Sequence, residues 1–496
     1  MDNINNKFLK RFFYIFIILH VLIWSALPLL REILPIDALE CIYWGGLHDF
    51  GTNKHPPMAG WIAYYVYNLF GKSDYSIYLL GQLCIAFGFI YIYKLGKIFV
   101  GEIKSLISVM LLETCFVYTY MGIYDGFNPN FMLLALLPFL SYYFYICMKN
   151  NRIKDWLILG LGFGVSFLSK YQTLMLFVPM LLYLFITKTG REQFRRKGLY
   201  IAAIVSFVCL LPHITWLFNH EFLSLDYFSV CEDRYLTFYN SWIKYLQAPF
   251  LFLINQFAAI IGMIFVYFTA KLFVNKPIKF NNINSDDSIY LICVGILPVF
   301  LQTLPGFING AYMIPQWGYT LLFMAPILLF YYFQFDLSER AIKYMLSWVL
   351  AAALITAVVL GIVFTTERNF ANRLPIQQVT KTLTDIYSKE TGGKSMKYIG
   401  GFIELSIPIS LYNNDYVVIL NTYNHKNPWI DMNDLKKTGS IVIGRDYDFM
   451  DGYIKASAPY LKEKPIIKPF KLAVKSVVGH EREYNMNYAI IPSVDY

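Results

Sequence analysis

Residues 37–61 read DALECIYWGGLHDFGTNKHPPMAGW, and this stretch decides how the rest of the chain is read. Three- and four-residue steps stack side chains on a helix, so Asp37, Glu40, Cys41, Trp44 and His48 share one face. Leu39, Ile42, Tyr43 and Phe50 share the other. The pattern predicts an amphipathic helix lying in a membrane interface. Gly51 would end it, and Pro56-Pro57 would block a restart. A carboxylate-bearing surface helix would then lead into a turn carrying Lys54 and His55, and from there into a new apolar segment.

Composition fixes the class. The chain is 57% hydrophobic and 18% aromatic, with only 15% charged residues, where a soluble domain has about 25%. This excludes an ordinary soluble protein and predicts a polytopic membrane protein. Its net charge of +9 is read as loop charge, not as a nucleic-acid patch. Most of the seven cysteines lie inside apolar runs, so no disulfide framework is implied. Cys41 and Cys231 alone fall in loops predicted to lie outside, and no bridge is assigned to them.

Outward from the opening stretch, an apolar run to Leu30 follows the basic N-terminus MDNINNKFLKRFF. It lacks a small-residue cleavage site and is read as an uncleaved first span. Further predicted spans are 75–99, 103–121, 129–148, 155–169, 172–187, 199–218, 247–274, 288–305, 318–334 and 341–365, for about eleven transmembrane helices. Cations test this order. One set of alternating loops carries Lys94, Lys97 and Lys104, then Lys149, Arg152 and Lys154, then Lys188 to Lys197, then Lys271, Lys276 and Lys279, then Arg340 and Lys343. The other set is cation-poor. The split holds only if 155–187 crosses twice, reversing near Lys170. The N-terminus is then cytoplasmic, while residues 31–61, Asp125, Lys170, 219–245 and the tail lie outside.

After residue 365 the composition changes. A helix is predicted over 376–388, with Pro375 placed to start it, and strands over 416–420, 440–443 and, more weakly, 488–491. The division expected is a membrane domain over 1–365, with its interfacial loop at 31–61, and a small extracytoplasmic α/β domain over 366–496.

Several outward-facing residues are candidates for chemistry. Asp37 and Glu40 read blandly as solvated interfacial acids. Read functionally, they are a general base or an electrostatic organiser for group transfer. Lys54-His55-Pro56-Pro57 is a turn before a helix, and also a rigid pair of donors at headgroup level, where phosphates sit. Lys170, followed by Tyr171, has the position of a snorkelling lysine, yet it stands on the cation-poor side, which favours a phosphate ligand. Arg234 and Lys244 share that exception. Glu113, mid-span in LLETCFVYTY, is either functional or an interhelical hydrogen-bonding group. Asn128, Asn130, His213, Trp216 and Asn219 sit at span ends as anchors, or together form a pocket of donors and stacking surfaces suited to a sugar. His55 and His213 are of the type that binds a divalent cation, but no ligand spacing accompanies them and no metal site is assigned.

The segments ID-x-x-E-x-x-x-W (36–44), G-x-x-x-HPP-x-x-x-W (51–61), LLE (111–113), FNPN (127–130), LSKY (168–171), PH-x-x-W (212–216), NHEFL (219–223) and Trp317-Gly318 occur in this order. Together they resemble the bacterial GT-C glycosyltransferases of the protein-mannosyltransferase type. Nearest in kind are the lipid A aminoarabinose transferase and the lipid A or core galacturonic acid and galactosamine transferases. The tail segment PWIDMNDLKKTGSIVI (428–443) resembles the small periplasmic domain that ends such proteins. The resemblance covers nearly the whole chain. It is fairly specific for the family and poorly specific for the sugar.

That resemblance implies transfer of a sugar, by overall likeness an amino sugar such as galactosamine, from a polyprenyl (undecaprenyl) phosphate donor to lipid A or lipopolysaccharide, with anomeric inversion, at the periplasmic face of the bacterial inner membrane. It casts Asp37 as catalytic base or acceptor-orienting carboxylate, with Glu40 as a second catalytic carboxylate of the same loop, and Lys54 or His55, Lys170 and Tyr171 as ligands of the donor phosphate. The substrate pocket would be formed by Trp44, Glu113, Asn128, Asn130, His213, Trp216 and Trp317. Aminoarabinose transferases carry Lys directly before Pro-Pro. Here His55 stands there and Lys54 precedes it, which leaves open which of the two meets the phosphate. Three further readings are transfer to protein hydroxyls, a polyprenyl-lipid flippase from another class, and a non-catalytic membrane scaffold, which would not need this one-sided gathering of acids, cations and aromatics. A transporter would show inverted repeats and helices broken at mid-bilayer, whereas polar groups here crowd one face.

Overall fold

The computed structural model describes residues 6–115, 117–121, 125–225, 243–274, 277–281, 283, 285–311, 313–369, 372–414, 417–419, 427–458, 460–461 and 463–494. Cys231, Arg234, Tyr416, Leu420 and most of the loop 219–245 lie outside them.

Within the described residues the longer helices, in chain order, are α1 (Asn6–Ala26), α2 (Ile36–Gly46), α3 (Met58–Leu69), α4 (Asp74–Val100) and α5 (Glu102–Leu111). Then come α6 (Pro129–Asn150), α7 (Ile153–Ser169), α8 (Leu174–Ile186), α9 (Lys197–Asn219) and α10 (Lys244–Ala270). The bundle closes with α11 (Asp286–Gly295), α12 (Leu297–Asn309), α13 (Ala325–Tyr332) and α14 (Glu339–Thr366). Among the described residues six helical segments are long and apolar enough to cross a membrane: Phe8–Leu30, Asp74–Val100, Pro129–Asn150, Lys197–Asn219, Lys244–Phe273 and Glu339–Thr366. The pair Asp286–Gly295 and Leu297–Ile308, bent by 45°, makes a seventh if it is one span. This is a multi-pass membrane fold. The other expected spans are shorter or broken. Segment 103–121 divides into α5, a 3-10 turn at Leu112–Thr114 and a π turn at Val117–Met121. Segments 155–187 form α7 and α8 on either side of a break at Lys170.

Local chemistry explains the boundaries that matter. The Asn128 side chain accepts from the Asn130 backbone N–H at 2.8 Å, and Pro129 occupies the first helical position, so the run FNPN is a built helix start. Lys170 ends α7 in extended conformation (φ −163°, ψ 134°). Its carbonyl accepts from the Thr173 hydroxyl at 2.9 Å, and that hydroxyl meets Ser166 Oγ at 2.8 Å. Along α14, Leu350, Leu354, Val358 and Ile362 are exposed at four-residue spacing, which is a lipid-facing stripe.

The decisive helix differs from its prediction. α2 stops at Gly46, because His48 takes a left-handed backbone (φ 56°) before Gly51 is reached. It does not lie in the interface with one face in lipid, since Ala38 through Gly45 are all buried. One side packs on α3, where a Cβ at Gly45 would stand 2.0 Å from the Gly60 carbonyl oxygen, so only glycine permits the crossing. The other side meets the C-terminal sheet.

A two-stranded antiparallel pair, β1 (Lys279–Phe280) with β2 (Phe333–Gln334), links loops of the bundle. The C-terminal region builds a five-stranded mixed sheet from β3 (Tyr398–Gly401), β4 (Val417–Ile419), β5 (Ser440–Gly444), β6 (Lys468–Lys475) and β7 (Glu481–Ile491), ordered β4-β3-β5-β7-β6. β4, β3 and β5 run parallel, while β7 is antiparallel to both β5 and β6. Its helices are α15 (Ile376–Glu390), α16 (Ile403–Ile409), α17 (Met432–Thr438) and α18 (Tyr447–Ser457). β4 is an edge strand, and α2 satisfies its open groups. Val418 N–H donates to Tyr43 Oη at 3.0 Å, and Val418 O lies 3.4 Å from the same hydroxyl. Trp429 Nε1 donates to Val418 O at 3.0 Å, and its ring packs edge-on against Tyr43. Tyr412 adds a second tie, donating to the Asp74 carboxylate of α4 at 2.7 Å.

Candidate active site

Between α2, the Lys54 turn, the start of α6, the α7–α8 break and the end of α12 lies a cavity of about 780 Å³. Its wall includes Asp37, Glu40, Trp44, Lys54, His55, Asn128, Asn130, Lys170, Tyr171 and Trp317. These are ten of the thirteen residues to which the resemblance gave site roles, brought together from segments up to 280 positions apart. Leu174, Met175, Leu225, Pro305, Met313 and Ile314 give the same cavity an apolar flank.

Each charged group is placed by a local device. Asp37 lies in the first turn of α2, where the helix dipole favours negative charge. Among the described residues it makes no hydrogen bond or ion pair. Glu40, one turn on, binds Lys54 Nζ at 2.9 Å. Burial holds the Glu40 carboxyl above its ordinary range, and Lys54 opposes that shift. The Lys54 turn is organised by Thr52, whose hydroxyl oxygen accepts from the backbone N–H of Lys54 at 3.1 Å and of His55 at 2.8 Å. Ser224 Oγ in turn donates to Thr52 O. Lys54 Nζ stands 5.7 Å from the centre of the Trp44 ring, against which His55 packs edge-on at 5.8 Å. Burial, then the charges of Lys54 and Lys170, hold the His55 imidazole well below its ordinary range, which favours its neutral form.

Lys170 reaches the same chamber because α7 breaks at its backbone. Its ammonium donates to Asn130 Oδ1 at 2.5 Å. Burial brings Lys170 down to about 7, against the pull of Asp37 and with the push of Lys54. Asp125 also lines the cavity. Burial and the neighbouring Asp37 lift it to about 7, and Arg31 opposes this. Several buried polar atoms in the wall have no protein partner among the described residues: Trp44 Nε1, Asn128 Nδ2, both amide atoms of Gln172, and Oε1 of Gln302 and Gln316. Orphaned polar groups are rare in native interiors. Their concentration here suits a ligand rich in hydroxyls.

Three predicted residues stand elsewhere. Glu113 does not line the cavity. It is buried in the bundle, where its carboxylate binds His20 Nδ1 at 2.7 Å and accepts from Trp24 Nε1 at 2.7 Å. It is an interhelical clasp on α1, and the pocket assignment is corrected. His213 lies behind the wall. Its Nδ1–H donates to Phe50 O at 2.6 Å, which leaves Nε2 to accept from Tyr171 Oη at 2.7 Å. Trp216 stacks on His220 at 4.2 Å and fills the space against Gly51, where a Cβ would stand 2.3 Å from the indole. Both brace the cavity and do not line it. Among the described residues no group of three His, Cys, Asp or Glu side chains is arranged to hold a metal.

Asp125, Gln172, Gln302 and Gln316 were not among the predicted site residues. Asp125 had one available signal: it is an acid in a cation-free loop, separated from FNPN by Gly126 alone. The glutamines had none beyond being amides next to apolar runs.

Comparison with known proteins adds a family match over part of the chain. Residues 54–216 match the family described as dolichyl-phosphate-mannose-protein mannosyltransferase. The chain is similar to the lipopolysaccharide core galacturonosyltransferase RgtA of Rhizobium johnstonii, with 25% identity over 217 residues, 42% of each chain. It is also similar to the lipid A galacturonosyltransferase RgtD of the same organism, with 26% identity over 191 residues, 38% of this chain and 39% of that one. These matches span less than half the length of either relative. Among solved structures, ArnT from Cupriavidus metallidurans bound to undecaprenyl phosphate superposes with a TM-score of 0.64 at 11% identity, covering 96% of this chain and 97% of that one. The chain therefore shares the fold of ArnT along its length, and the family match over residues 54–216 agrees with the resemblance carried by the motifs.

Proposed function

We propose that this protein is an inverting glycosyltransferase that moves a sugar from a polyprenyl phosphate to lipid A or lipopolysaccharide, at the periplasmic face of the inner membrane. One observation carries the reading. Two lysines from distant segments and an uncommitted carboxylate meet in a cavity whose flank is apolar. That is the shape and polarity of a phosphate joined to an isoprenoid. The similarity to lipid A and core galacturonosyltransferases supports the acceptor class.

The roles follow from the geometry. Lys54 and Lys170 supply positive charge to the donor phosphate, and neutral His55 supplies a hydrogen bond. Of the two, Lys54 is the one this reading assigns as the charge. An acceptor oxygen forms the new bond to the anomeric carbon while the bond from that carbon to the phosphate oxygen breaks. The electron pair leaves on the polyprenyl phosphate, where fixed cations stabilise it. If the acceptor is a hydroxyl, its proton passes to Asp37; if it is a phosphate, Asp37 orients it and no proton moves.

The cation distribution among loops supports a cytoplasmic N-terminus. The composition change near residue 365 supports a periplasmic sheet domain over 366–496, following a catalytic membrane domain over 1–365. The test is mass spectrometry of lipid A from a deletion strain complemented with a C-terminally tagged chain. A sugar should vanish on deletion and return on complementation, and the tag should be reachable from the periplasm. Unchanged lipid A and core would exclude the acceptor, and a cytoplasmic tag would exclude the orientation.

A further inference from the structure

The C-terminal sheet has two edges, and only one is explained by the site. Its β4 edge holds Tyr43 on the back of α2. Its other edge, β6, runs with β7 into a tight hairpin whose tip is Ser476–His480. Ser476 N–H donates to His480 O at 2.8 Å, His480 N–H donates back to Ser476 Oγ at 3.0 Å, and Gly479 takes φ 88°. The tip is therefore a built turn. It presents Val477 and Val478, 55% and 53% exposed. Elsewhere on these strands the apolar side chains Leu472, Val474, Tyr484 and Met486 point inward and are buried. Two adjacent exposed valines at a turn contradict that economy, because turns favour polar residues.

Their location gives the reason. Val478 N–H reaches Thr365 O at 3.4 Å, at the end of the membrane-length helix α14. Tyr484 Oη, further along the hairpin, donates to Arg368 O at 2.8 Å, just past the same helix end. Ile362, exposed in the lipid-facing stripe of α14, lies about 5 Å below Thr365 along the helix axis. The valines thus continue the lipid-facing surface at the level where it ends. Lys475, paired with the exposed Glu481 at 3.2 Å, His480 and Arg482 surround them, all exposed.

We propose that the β6–β7 hairpin is a membrane-inserted anchor, with Val477 and Val478 seated among the lipids of the leaflet nearest the C-terminal sheet and Lys475, His480 and Arg482 at the headgroups. The sheet is then fixed at both edges, to lipid through β6 and to α2 through β4. The helix that carries Asp37 and Glu40 is held at a set height above the bilayer. This inference does not depend on the transfer reaction.

The test places a tryptophan at Val478 in the full-length protein, reconstituted in nanodiscs of ordinary or acyl-chain-brominated phosphatidylcholine. The signal of the nine native tryptophans is subtracted using the unaltered protein. Ile466→Trp is the control, because Ile466 is as exposed but lies at the far end of β6, roughly 25 Å away. Brominated lipid should remove most of the fluorescence added at 478 and little of that added at 466. Val477→Trp, read in the same way, guards against a local distortion at 478. Equal quenching at 466 and at both tip positions, or none at either tip position, would overturn the proposal.

Discussion

Replacing Asp37 by asparagine is expected to lower kcat by about 100-fold or more if the acceptor is a hydroxyl, the range for losing a general base. The substitution keeps the shape of the side chain, so the helix and the cavity should survive. Asp37 is singled out because the other two acids are committed or restrained. Glu40 is bound to Lys54, and Asp125 is lifted to about 7 by burial and by Asp37 itself. Removing the Asp37 charge should also leave Lys170 easier to deprotonate, since Asp37 is the group that supports its positive charge. The asparagine variant should therefore show a raised donor KM at neutral pH in addition to the fallen kcat. A small kcat effect with the donor KM change alone would indicate a phosphate acceptor that needs no base. Full activity with both constants unchanged would remove Asp37 from the reaction.

Lys170→Ala should raise the donor KM by roughly 10- to 100-fold, the equivalent of losing one hydrogen bond between charged groups. The pH dependence makes this more specific. Lys170 is lowered to about 7 in the free protein, and a bound phosphate raises it. Donor binding therefore favours the protonated lysine. Affinity is fully present below pH 7 and declines as pH rises through 7, by up to about tenfold per unit, until the bound-state value is reached. The alanine variant should lose that decline. An unchanged donor KM, or the same pH slope in both proteins, would contradict the phosphate role.

Much of the site could be read from the chain because its devices are local. A lysine breaking an apolar hairpin on the cation-poor side, an Asn-Pro-Asn helix start and a double proline after Lys54-His55 each leave a signature within a few residues. What failed depended on distant partners. Leu39, Ile42 and Tyr43 look the same whether they face lipid or protein, so nothing in residues 37–50 announced that β4, some 375 positions later, would cover Tyr43. Glu113 read as a pocket acid because its partners, His20 and Trp24, lie 93 and 89 positions upstream. The sheet was half legible. β5 and the core of β4 are β-branched and were expected. β3 contains two glycines, and β6 alternates lysine with apolar residues in a way that resembles a polar loop. The helix 376–388 extends to Glu390, as its strongly amphipathic pattern allows.

The central claim is that one chamber receives both the phosphate and the first isoprene units of a polyprenyl carrier. A polyprenyl phosphate with a diazirine in its phosphate-proximal isoprene unit tests it most directly, by photolysis on the purified protein followed by peptide mapping. Label is expected on 170–175 and 302–317, the flank beside Lys170, and should be displaced by unlabelled polyprenyl phosphate. Displaceable label confined to other faces of the bundle, with both of these segments clean, would contradict the account.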